Sequence, residues 1–321
     1  MLSRVANSIY WIGRYIERAE NVARSIEVNL HMTLDMYGEE NTQWRPLVTI
    51  MGDNTVFDSG YDNASQENVI RFLAFERQNP NSILSCLNAA RENARTIRST
   101  ITTEMWEQIN RMYLYVNRAA HDPEVLESPH EFYTRMKLGS LLFQGLTEAA
   151  MTHGEAWHFS RLGRAIERAD KTTRLLDVKY FALLPSVDHV GMSVDDIQWA
   201  AVLRSASALE MYRQKYGEIN PNYIAEFLLL DRQFPRAVLH CLNLAEGSLR
   251  SITGSREGMF QNIPEQRLGQ LRSDLMYAGI DEIIADGLHE YLDSCQLRLN
   301  GIGDAIYETF FALRPKSASA R

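Results

Sequence analysis

The sequence contains few of the features that usually indicate a particular chemistry. Only three of its 321 residues are cysteine, and no two are close enough for a Cys-x-x-Cys pair, which disfavours a disulfide framework and a cysteine-rich metal site. A Gly-rich phosphate loop, a Gly-x-Ser-x-Gly elbow and a His-Glu-x-x-His motif are all missing. The motifs therefore predict no cofactor and no metal.

Long apolar runs are also missing. No 18 consecutive residues are apolar, which argues against a membrane-spanning helix. Charges at Arg4, Arg14 and Glu17 interrupt the first twenty residues, so these do not resemble a secretory signal peptide. The cysteines lie among apolar neighbours and are predicted to be buried, reduced thiols, typical of the cytosol. We therefore expect a cytoplasmic protein without a membrane partner.

An excess of positive charge is the third missing feature. The formal net charge is −8 and the isoelectric point is about 5.6. Proteins that bind duplex nucleic acid through its phosphates usually carry a basic surface. The charge balance therefore predicts no nucleic-acid partner.

Apolar residues recur at helical spacing almost throughout the chain. In the opening segment, Ile12, Ile16, Val22, Ile26 and Leu30 fall within one broad stripe of the kind that an amphipathic helix presents to a core. No convincing alternation of period two is present. The sequence therefore predicts an all-α protein, with 45% hydrophobic residues available for a substantial core.

Helix starts are indicated at Ser65, Asn79-Pro80, Ser128-Pro129, Ser193 and Asn220-Pro221, because these residues suit the first turn of a helix. Residues 52–63 and 185–191 are predicted to be loops. We place helices near residues 3–37, 43–52, 66–76, 80–100, 104–118 and 129–151, and again near 155–183, 194–216, 221–231, 235–252, 264–278 and 281–313.

The two sets of helices repeat in sequence. Across residues 12–28 and 162–178, eight of seventeen positions are identical at an offset of 150. Across 72–90 and 227–245, ten of nineteen are identical at an offset of 155, and Trp44 matches Trp199 at that offset. Two ungapped blocks in the same order indicate a tandem duplication.

The duplication predicts two six-helix repeats, at 1–153 and 154–314, followed by a frayed tail at 315–321. We expect the repeats to pack with pseudo-twofold symmetry and to superpose as helical units. They are predicted to form one fused bundle rather than two independent domains.

One charged motif lies on the opening helix of each repeat. At 100° per residue, the first set occupies one face opposite the apolar stripe, and the second set repeats it. The sequence leaves three interpretations open: a solvated face with ion pairs along the helix, a site that binds an anion between arginines, or a salt-bridge lattice between helices. The residues are Arg14, Glu17, Arg18 and Arg24, and then Arg164, Glu167, Arg168 and Arg174.

A second motif lies at a helix junction in each repeat. Local capping explains its proline well, but explains less well why Arg-Gln is identical in both copies. We therefore treat its polar residues as candidate binding residues. They are Glu76, Arg77 and Gln78, with Asp231, Arg232 and Gln233.

One spacing suggests a metal site. Glu155-x-x-His158 has the spacing that di-iron helical bundles use, but such sites need a second pair and two further glutamates. The other match, Glu127-x-x-His130, spans a predicted helix start. The pattern therefore disfavours a di-metal site.

The segment from Ala6 to Asn21, with the Glu-Arg-Gln-x-Pro block and the second Gly-Arg-x-Ile-Glu-Arg-Ala-Asp segment, resembles the bacterial alpha-E family. The resemblance covers essentially the whole chain. It implies a wholly helical protein encoded beside, or fused to, a circularly permuted ATP-grasp protein of the amide-ligase type. Transglutaminase-like proteins and an Anbu-type proteasome relative are implied as further neighbours. The resemblance supplies no catalytic residue.

Three functions therefore stay open. The first is an accessory or interaction protein that works with the ATP-grasp ligase on an amide- or peptide-linked product. The second is an enzyme of that pathway that uses the paired Glu and Arg residues for acid–base or acyl chemistry. The third is a structural scaffold. A perturbed carboxylate in a closed pocket favours the enzyme, whereas an exposed apolar patch beside the charged faces favours the interaction protein.

Overall fold

A computed structural model of the chain describes residues 1–35, 44–122, 125, 129–181 and 193–312. Throughout these residues the ordered elements are helices, and no strand occurs among them. In chain order they are α1 (Ser3–Asp35), α2 (Arg45–Met51), α3 (Asn54–Gly60), α4 (Gln66–Ile70), α5 (Ile83–Thr96), α6 (Thr103–Ala119), α7 (His130–Ala150), α8 (Glu155–Phe181), α9 (Ser193–Ser205), α10 (Leu209–Tyr216), α11 (Pro221–Leu230), α12 (Val238–Thr253), α13 (Ile263–Tyr277), α14 (Ile280–Asp286) and α15 (Leu288–Ile306). Two π-helical turns, Arg71–Phe75 and Tyr307–Phe311, extend α4 and α15.

Helices α1 and α8 form the central pair of the bundle. Helices α5 and α7 pack on α1, and α12 and α15 pack on α8. Helix α6 covers α5 and α7, while α13 covers α12 and α15. The short helix α2 crosses to pack on α8, and α9 crosses to pack on α1. The N-terminal and C-terminal halves therefore share one interface along α1 and α8.

One large hydrophobic core runs through both halves and includes Trp44 and Trp199, and a small second cluster is formed by Val28, Met32 and Ala201. The apolar stripe predicted on α1 is buried in it, with Tyr15 partly exposed. The opposite face of α1 is buried as well, since Glu17 and Glu20 are each 1% exposed. This excludes a solvated charged face on α1, and it follows from enclosure of α1 by α5, α7 and α8.

Several predicted boundaries are wrong. The predicted loop 52–63 contains α3, and the predicted helix 194–216 is divided after Ser205 into α9 and α10. Ser207, at φ 52°, ends the first piece in a left-handed conformation. Gly287, at φ 107°, likewise separates α14 from α15 within the predicted helix 281–313. The predicted loop 185–191 lies outside the described residues.

The polar residues predicted to start helices do so at some positions and not at others. The Ser65 hydroxyl accepts a hydrogen bond from the Asn68 backbone N–H, and Asn220 caps α11 ahead of its first residue, Pro221, as predicted. Asn79-Pro80 does not start a helix. Ser82 caps α5 instead, while the Asn79 side chain donates to the Phe72 carbonyl oxygen. Ser128 lies outside the described residues, and α7 follows Pro129.

Candidate functional site

The close approach of α1 to α8 positions the charged motifs. A Cβ atom on Gly13 would overlap the carbonyl oxygen of Ser160, and one on Gly163 would overlap that of Tyr10. Each glycine therefore permits a backbone-to-backbone contact that no other residue allows. Since Arg14 and Arg164 follow these glycines directly, the charged faces of α1 and α8 lie against each other.

The carboxylate of Glu167 on α8 is bound by two arginines of α1. Arg14 Nε donates to its Oε2 at 2.8 Å, and Arg18 donates through Nε at 2.7 Å and through a terminal nitrogen at 2.9 Å. Glu167 itself is fully buried. The two arginines that flank Glu17 in sequence therefore pair with the glutamate of the other helix.

Glu17 has the corresponding surroundings on the other side of the contact. Arg168 of α8 donates to its two carboxylate oxygens at 3.0 and 2.7 Å. Arg236, from the turn before α12, donates to the same carboxylate at 2.6 Å, and the Gln144 amide lies 3.4 Å away. The Asn21 side chain adds a further donor at 3.2 Å. All four donors to the Glu17 carboxylate are side chains of this chain.

A second acidic position follows three residues after each glutamate. Glu20 accepts from Arg24 and Arg236, both at 2.6 Å, and from the Ser140 hydroxyl at 2.7 Å. Asp170 accepts from Arg174 at 3.0 Å, with the Lys171 ammonium 3.5 Å away. These ion pairs form three neighbouring groups, around Glu167, around Glu17 with Glu20, and around Asp170. We call the three groups together the charged lattice: Arg14, Glu17, Arg18, Glu20, Arg24, Glu167, Arg168, Asp170, Lys171, Arg174 and Arg236.

The lattice holds its two central glutamates in the ionised form. Burial by itself raises a carboxyl pKa, but the guanidinium groups of Arg168 and Arg236 outweigh it and hold the pKa of Glu17 far below its usual value. Arg18 and Arg14 do the same to the pKa of Glu167. Because a general acid or base must exchange a proton near neutral pH, these carboxylates are unsuited to that role.

Arg164 is the exception among the predicted arginines of the two opening helices. It makes no ion pair and no side-chain hydrogen bond with any residue that the structure describes. Glu17, the partner that the position of Arg14 would suggest for it, is already bound by Arg168 and Arg236. Burial and the neighbouring Arg168 lower the pKa of Arg164. Arg164 is therefore a cationic group that the ion pairs of the lattice do not include.

The Arg-Gln turn of the first half lies outside the lattice. Arg77 is exposed and donates to the Asn117 side chain at 2.8 Å, on α6. The Glu76 carboxylate accepts from the Gln78 backbone N–H at 3.1 Å and from the Tyr61 hydroxyl at 3.3 Å. Gln78 is exposed. These contacts fix the turn rather than join it to the charged helices.

The polar side chains of the matching turn in the second half also lie outside the lattice, although the Pro235 carbonyl oxygen of this turn accepts from Arg168 at 3.4 Å. Asp231 accepts from the backbone N–H groups of Gln233 and Phe234 and pairs with Lys215 at 2.8 Å. Arg232 is exposed and approaches the Met276 carbonyl oxygen at 3.4 Å. The structure therefore brings the Arg and Glu residues of α1 and α8 together, without the polar side chains of the two Arg-Gln turns.

Sequence reasoning missed the residues that complete the lattice from other helices. Arg236 follows the second Arg-Gln turn, and its counterpart at an offset of 155 is Asn81. Asn81 accepts from Arg18 at 2.6 Å and donates to Asp53 at 2.7 Å. Position 236 differs between the copies, so a search for identical residues overlooks it. The signal available was this difference itself: Asn21 and Asn81 of the first half correspond to the cations Lys171 and Arg236 of the second.

The cysteines and the suggested metal ligands have other surroundings. Burial raises the pKa of Cys86, of Cys241 and of Cys295 to about 12, and all three thiols are free. Glu155 pairs with the N-terminal amine at 2.7 Å, and Glu127 lies outside the described residues. Within the described ranges, no group of three or more His, Cys, Asp or Glu side chains is placed to hold a metal ion.

Residues 1–311 match the model of a protein family described as a predicted alpha-helical domain with a conserved ER motif. The chain belongs to the Alpha-E family. In this Alpha-E chain, Glu-Arg pairs occur at 17–18, 76–77 and 167–168. Two of the three pairs, at 17–18 and 167–168, lie in the charged lattice.

Similar Alpha-E chains occur in mycobacteria. An uncharacterized protein of Mycobacterium bovis and one of Mycobacterium tuberculosis are each 24% identical to this chain over 335 residues, covering 97% of it. The chain spans about 37% of the length of these relatives. No solved structure matches it. Among the described residues, no helix has both the length and the apolar character needed to cross a bilayer.

Proposed function

We propose that this Alpha-E chain is an accessory protein that binds a partner protein. The family resemblance implies the circularly permuted ATP-grasp amide ligase as that partner, in the synthesis or processing of an amide- or peptide-linked product. A transglutaminase-like protein is a further partner in the same pathway.

One observation carries the proposal: an unpartnered apolar face on α7. Leu138, Leu141 and Leu142 recur at the spacing of a single helix face and are 60%, 49% and 48% exposed. Beside them, a groove of about 260 Å³ runs between α6 and α7. Exposed apolar patches of this kind mark interaction surfaces in soluble proteins.

The chemistry of the groove favours an acidic partner surface. Its lining includes Arg111, which is exposed and has no ion pair with any described residue. It also includes Arg135, which pairs with Glu131 at 2.6 Å and lies over the Tyr115 ring at 5.2 Å. A symmetric dimer through this face would bring two such cationic rims together, which is unfavourable. A different protein with apolar side chains flanked by carboxylates complements the groove.

The same helix connects this face to the charged lattice. On its buried side, α7 supplies Ser140 and Gln144, which donate to Glu20 and Glu17. On its outer side it carries the three exposed leucines. We propose that the lattice acts as the rigid support that fixes α7 for binding. The lowered pKa values of Glu17 and Glu167 disfavour the alternative of an acid–base enzyme.

We also propose that the chain is a duplicated bundle with pseudo-twofold symmetry, divided near residue 154. The reciprocal contacts support this: Gly13 faces Ser160 and Gly163 faces Tyr10, at an offset of 150 in both cases. The helix pairings support it as well, because α5 and α7 pack on α1 as α12 and α15 pack on α8.

The proposal is tested by co-purifying the chain with a circularly permuted ATP-grasp protein of the type that the resemblance implies, and by measuring ATP turnover with and without the chain. We expect a complex and an altered turnover. The double variant Leu138→Asp/Leu142→Asp is expected to lose the complex and keep its melting temperature. The matched control is Leu297→Asp on α15, a single leucine that is 65% exposed.

Three outcomes contradict parts of this proposal. Absence of any complex with the wild-type chain contradicts the accessory role. A complex that the double leucine variant retains in full excludes the α7 face. Self-association of the wild-type chain that this variant abolishes, seen by analytical ultracentrifugation, assigns the face to a second copy.

A further inference from the structure

Another concave surface lies between α1 and α5, beside the first Arg-Gln turn. It has a volume of about 410 Å³, within the range of small-molecule sites. Its lining comes from α1, from the turn before α5 and from α5 itself. The residues are Tyr15, Arg77, Pro80, Leu84, Ser85, Asn88 and Ala89.

The surface has an aromatic floor on one side. The Tyr15 ring stacks on Trp11, with centroids 5.2 Å apart, and is partly exposed. Pro80, Leu84 and Ala89 supply an apolar wall. Together they offer a flat apolar surface against which a ring or an aliphatic chain packs favourably.

Two polar groups give the surface its specificity. Arg77 is the one charged residue of its lining, and Asn117 occupies one of its terminal nitrogens. The remaining guanidinium donors suit a carboxylate. The Asn88 side chain is exposed and makes no hydrogen bond with the part of the chain that the structure describes. A primary amide offers both a donor and an acceptor, which matches a peptide group.

The second copy of the sequence shows which features keep this surface open. Four lining residues recur at an offset of 155, as Arg232, Pro235, Leu239 and Asn243. Where the first copy has Ser85 and Ala89, the second has His240 and Leu244, and Ala165 replaces Tyr15 at an offset of 150. His240 lies 2.9 Å from the Arg232 carbonyl oxygen. The small residues and the aromatic floor therefore occur together, and only in the first copy.

We propose that this surface binds a small carboxylate that carries an amide, such as the C-terminal end of a short peptide. Arg77 binds the carboxylate, Asn88 pairs with the adjacent amide, and Tyr15 contacts the side chain. The inference does not depend on the partner protein proposed above, because the surface lies on α1 and α5 rather than on α6 and α7. It is also connected to the lattice, since Arg18 lies over the Tyr15 ring at 5.8 Å and binds Glu167.

The test is calorimetric titration of the full chain with three probes: N-acetyl-glycylglycine, its C-terminal amide, and N-acetyl-phenylalanylglycine. We expect the free acid to bind about tenfold more tightly than its amide, as the loss of one charge-assisted hydrogen bond predicts. The phenylalanyl probe should bind more tightly than the glycyl acid. Chemical shifts of the Asn88 side-chain amide should move with the acids.

Variants separate this site from general attraction to a cation. Arg77→Gln removes the charge on an exposed side chain and should reduce acid binding about tenfold, to the level of the amide probe. Ala89→Leu fills the surface as the second copy does and should abolish binding of all three probes. Arg232→Gln, the matched control in the second copy, should leave binding unchanged. Equal binding of acid and amide, no binding of any probe at millimolar concentration, or an unaffected Arg77→Gln variant overturns the proposal.

Discussion

Gly13 of α1 lies directly against the backbone carbonyl oxygen of Ser160 in α8, without room for a side chain between them. Gly163 has the same relationship to Tyr10. The salt bridges of the charged lattice depend on this spacing, because Arg14 and Arg18 reach Glu167 across it at 2.8 and 2.7 Å.

We therefore predict that Gly13→Ala and Gly163→Ala each destabilise the protein, although alanine normally favours a helix. Inserting a methyl group into such a contact costs about 1–3 kcal/mol. Chemical denaturation measures the change. The control is Gly145→Ala on α7, where nothing lies within 4 Å of the added Cβ, and there we expect no loss of stability. Equal effects at Gly13 and Gly145 contradict the close contact.

Removal of either central glutamate should be severe. Glu17→Ala leaves the largely buried Arg168 without its carboxylate and Arg236 with Glu20 alone. Glu167→Ala leaves Arg14 and Arg18, also largely buried, without theirs. The expected loss is about 3–5 kcal/mol for each variant. Glu67→Ala removes an exposed i,i+4 pair with Arg71 and should cost about 0–1 kcal/mol. Melting temperatures like that of the wild type for Glu17→Ala exclude an enclosed lattice.

The pH dependence of stability has a defined sign. The pKa values of Glu17 and Glu167 are lowered in the folded state, so their stabilisation is present above the ordinary carboxyl pKa. It is lost as the pH falls from that value through the lowered ones. Each group contributes a slope of up to about 1.4 kcal/mol per pH unit in that window.

Glu17→Gln and Glu167→Gln should therefore each reduce the slope of unfolding free energy against pH below about pH 4. Urea denaturation at a series of pH values measures this slope. Glu67→Gln, whose side chain is 67% exposed, serves as the control and should leave the slope unchanged. An identical slope for all three variants and the wild type argues against the lowered pKa values.

A compensating substitution provides a further test. Asn21 and Asn81 of the N-terminal half correspond to Lys171 and Arg236 of the C-terminal half, and Arg236 lies against Asn21 at 3.0 Å. Arg236→Asn should destabilise strongly, because Glu17 and Glu20 each lose a hydrogen bond of 2.6 Å. Adding Asn21→Lys should restore part of the loss by supplying an ammonium group, as Lys171 does for Asp170. A double-mutant cycle detects this coupling, and strictly additive changes contradict it.

The cysteines should be unreactive in the folded protein. Cys86, Cys241 and Cys295 are buried, and their pKa values are raised to about 12, so little thiolate exists at neutral pH. A thiol reagent is expected to label none of them until denaturant is added, and then all three. Rapid labelling of Cys86 or Cys241 in native conditions contradicts the buried placement.

The sequence alone determined the helical class of the protein and most helix positions, because apolar periodicity and polar caps are local properties. The period in α1 predicts its buried stripe, and Ser65 and Asn220 cap the helices they precede. The breaks at Ser207 and Gly287 were not predicted. No proline interrupts either segment, and tertiary packing decides where each helix ends.

The identity of the charged residues was also readable, since Gly-Arg-x-x-Glu-Arg occurs at both 13–18 and 163–168. Their role was not. A helical wheel places Arg14, Glu17 and Arg18 on one face, but cannot say whether that face meets water, a ligand or another helix. Only the tertiary structure decided this, because the carboxylate that binds Arg14 and Arg18 lies about 150 residues away in the chain. Partners so distant in sequence are brought together by packing, which no local pattern encodes.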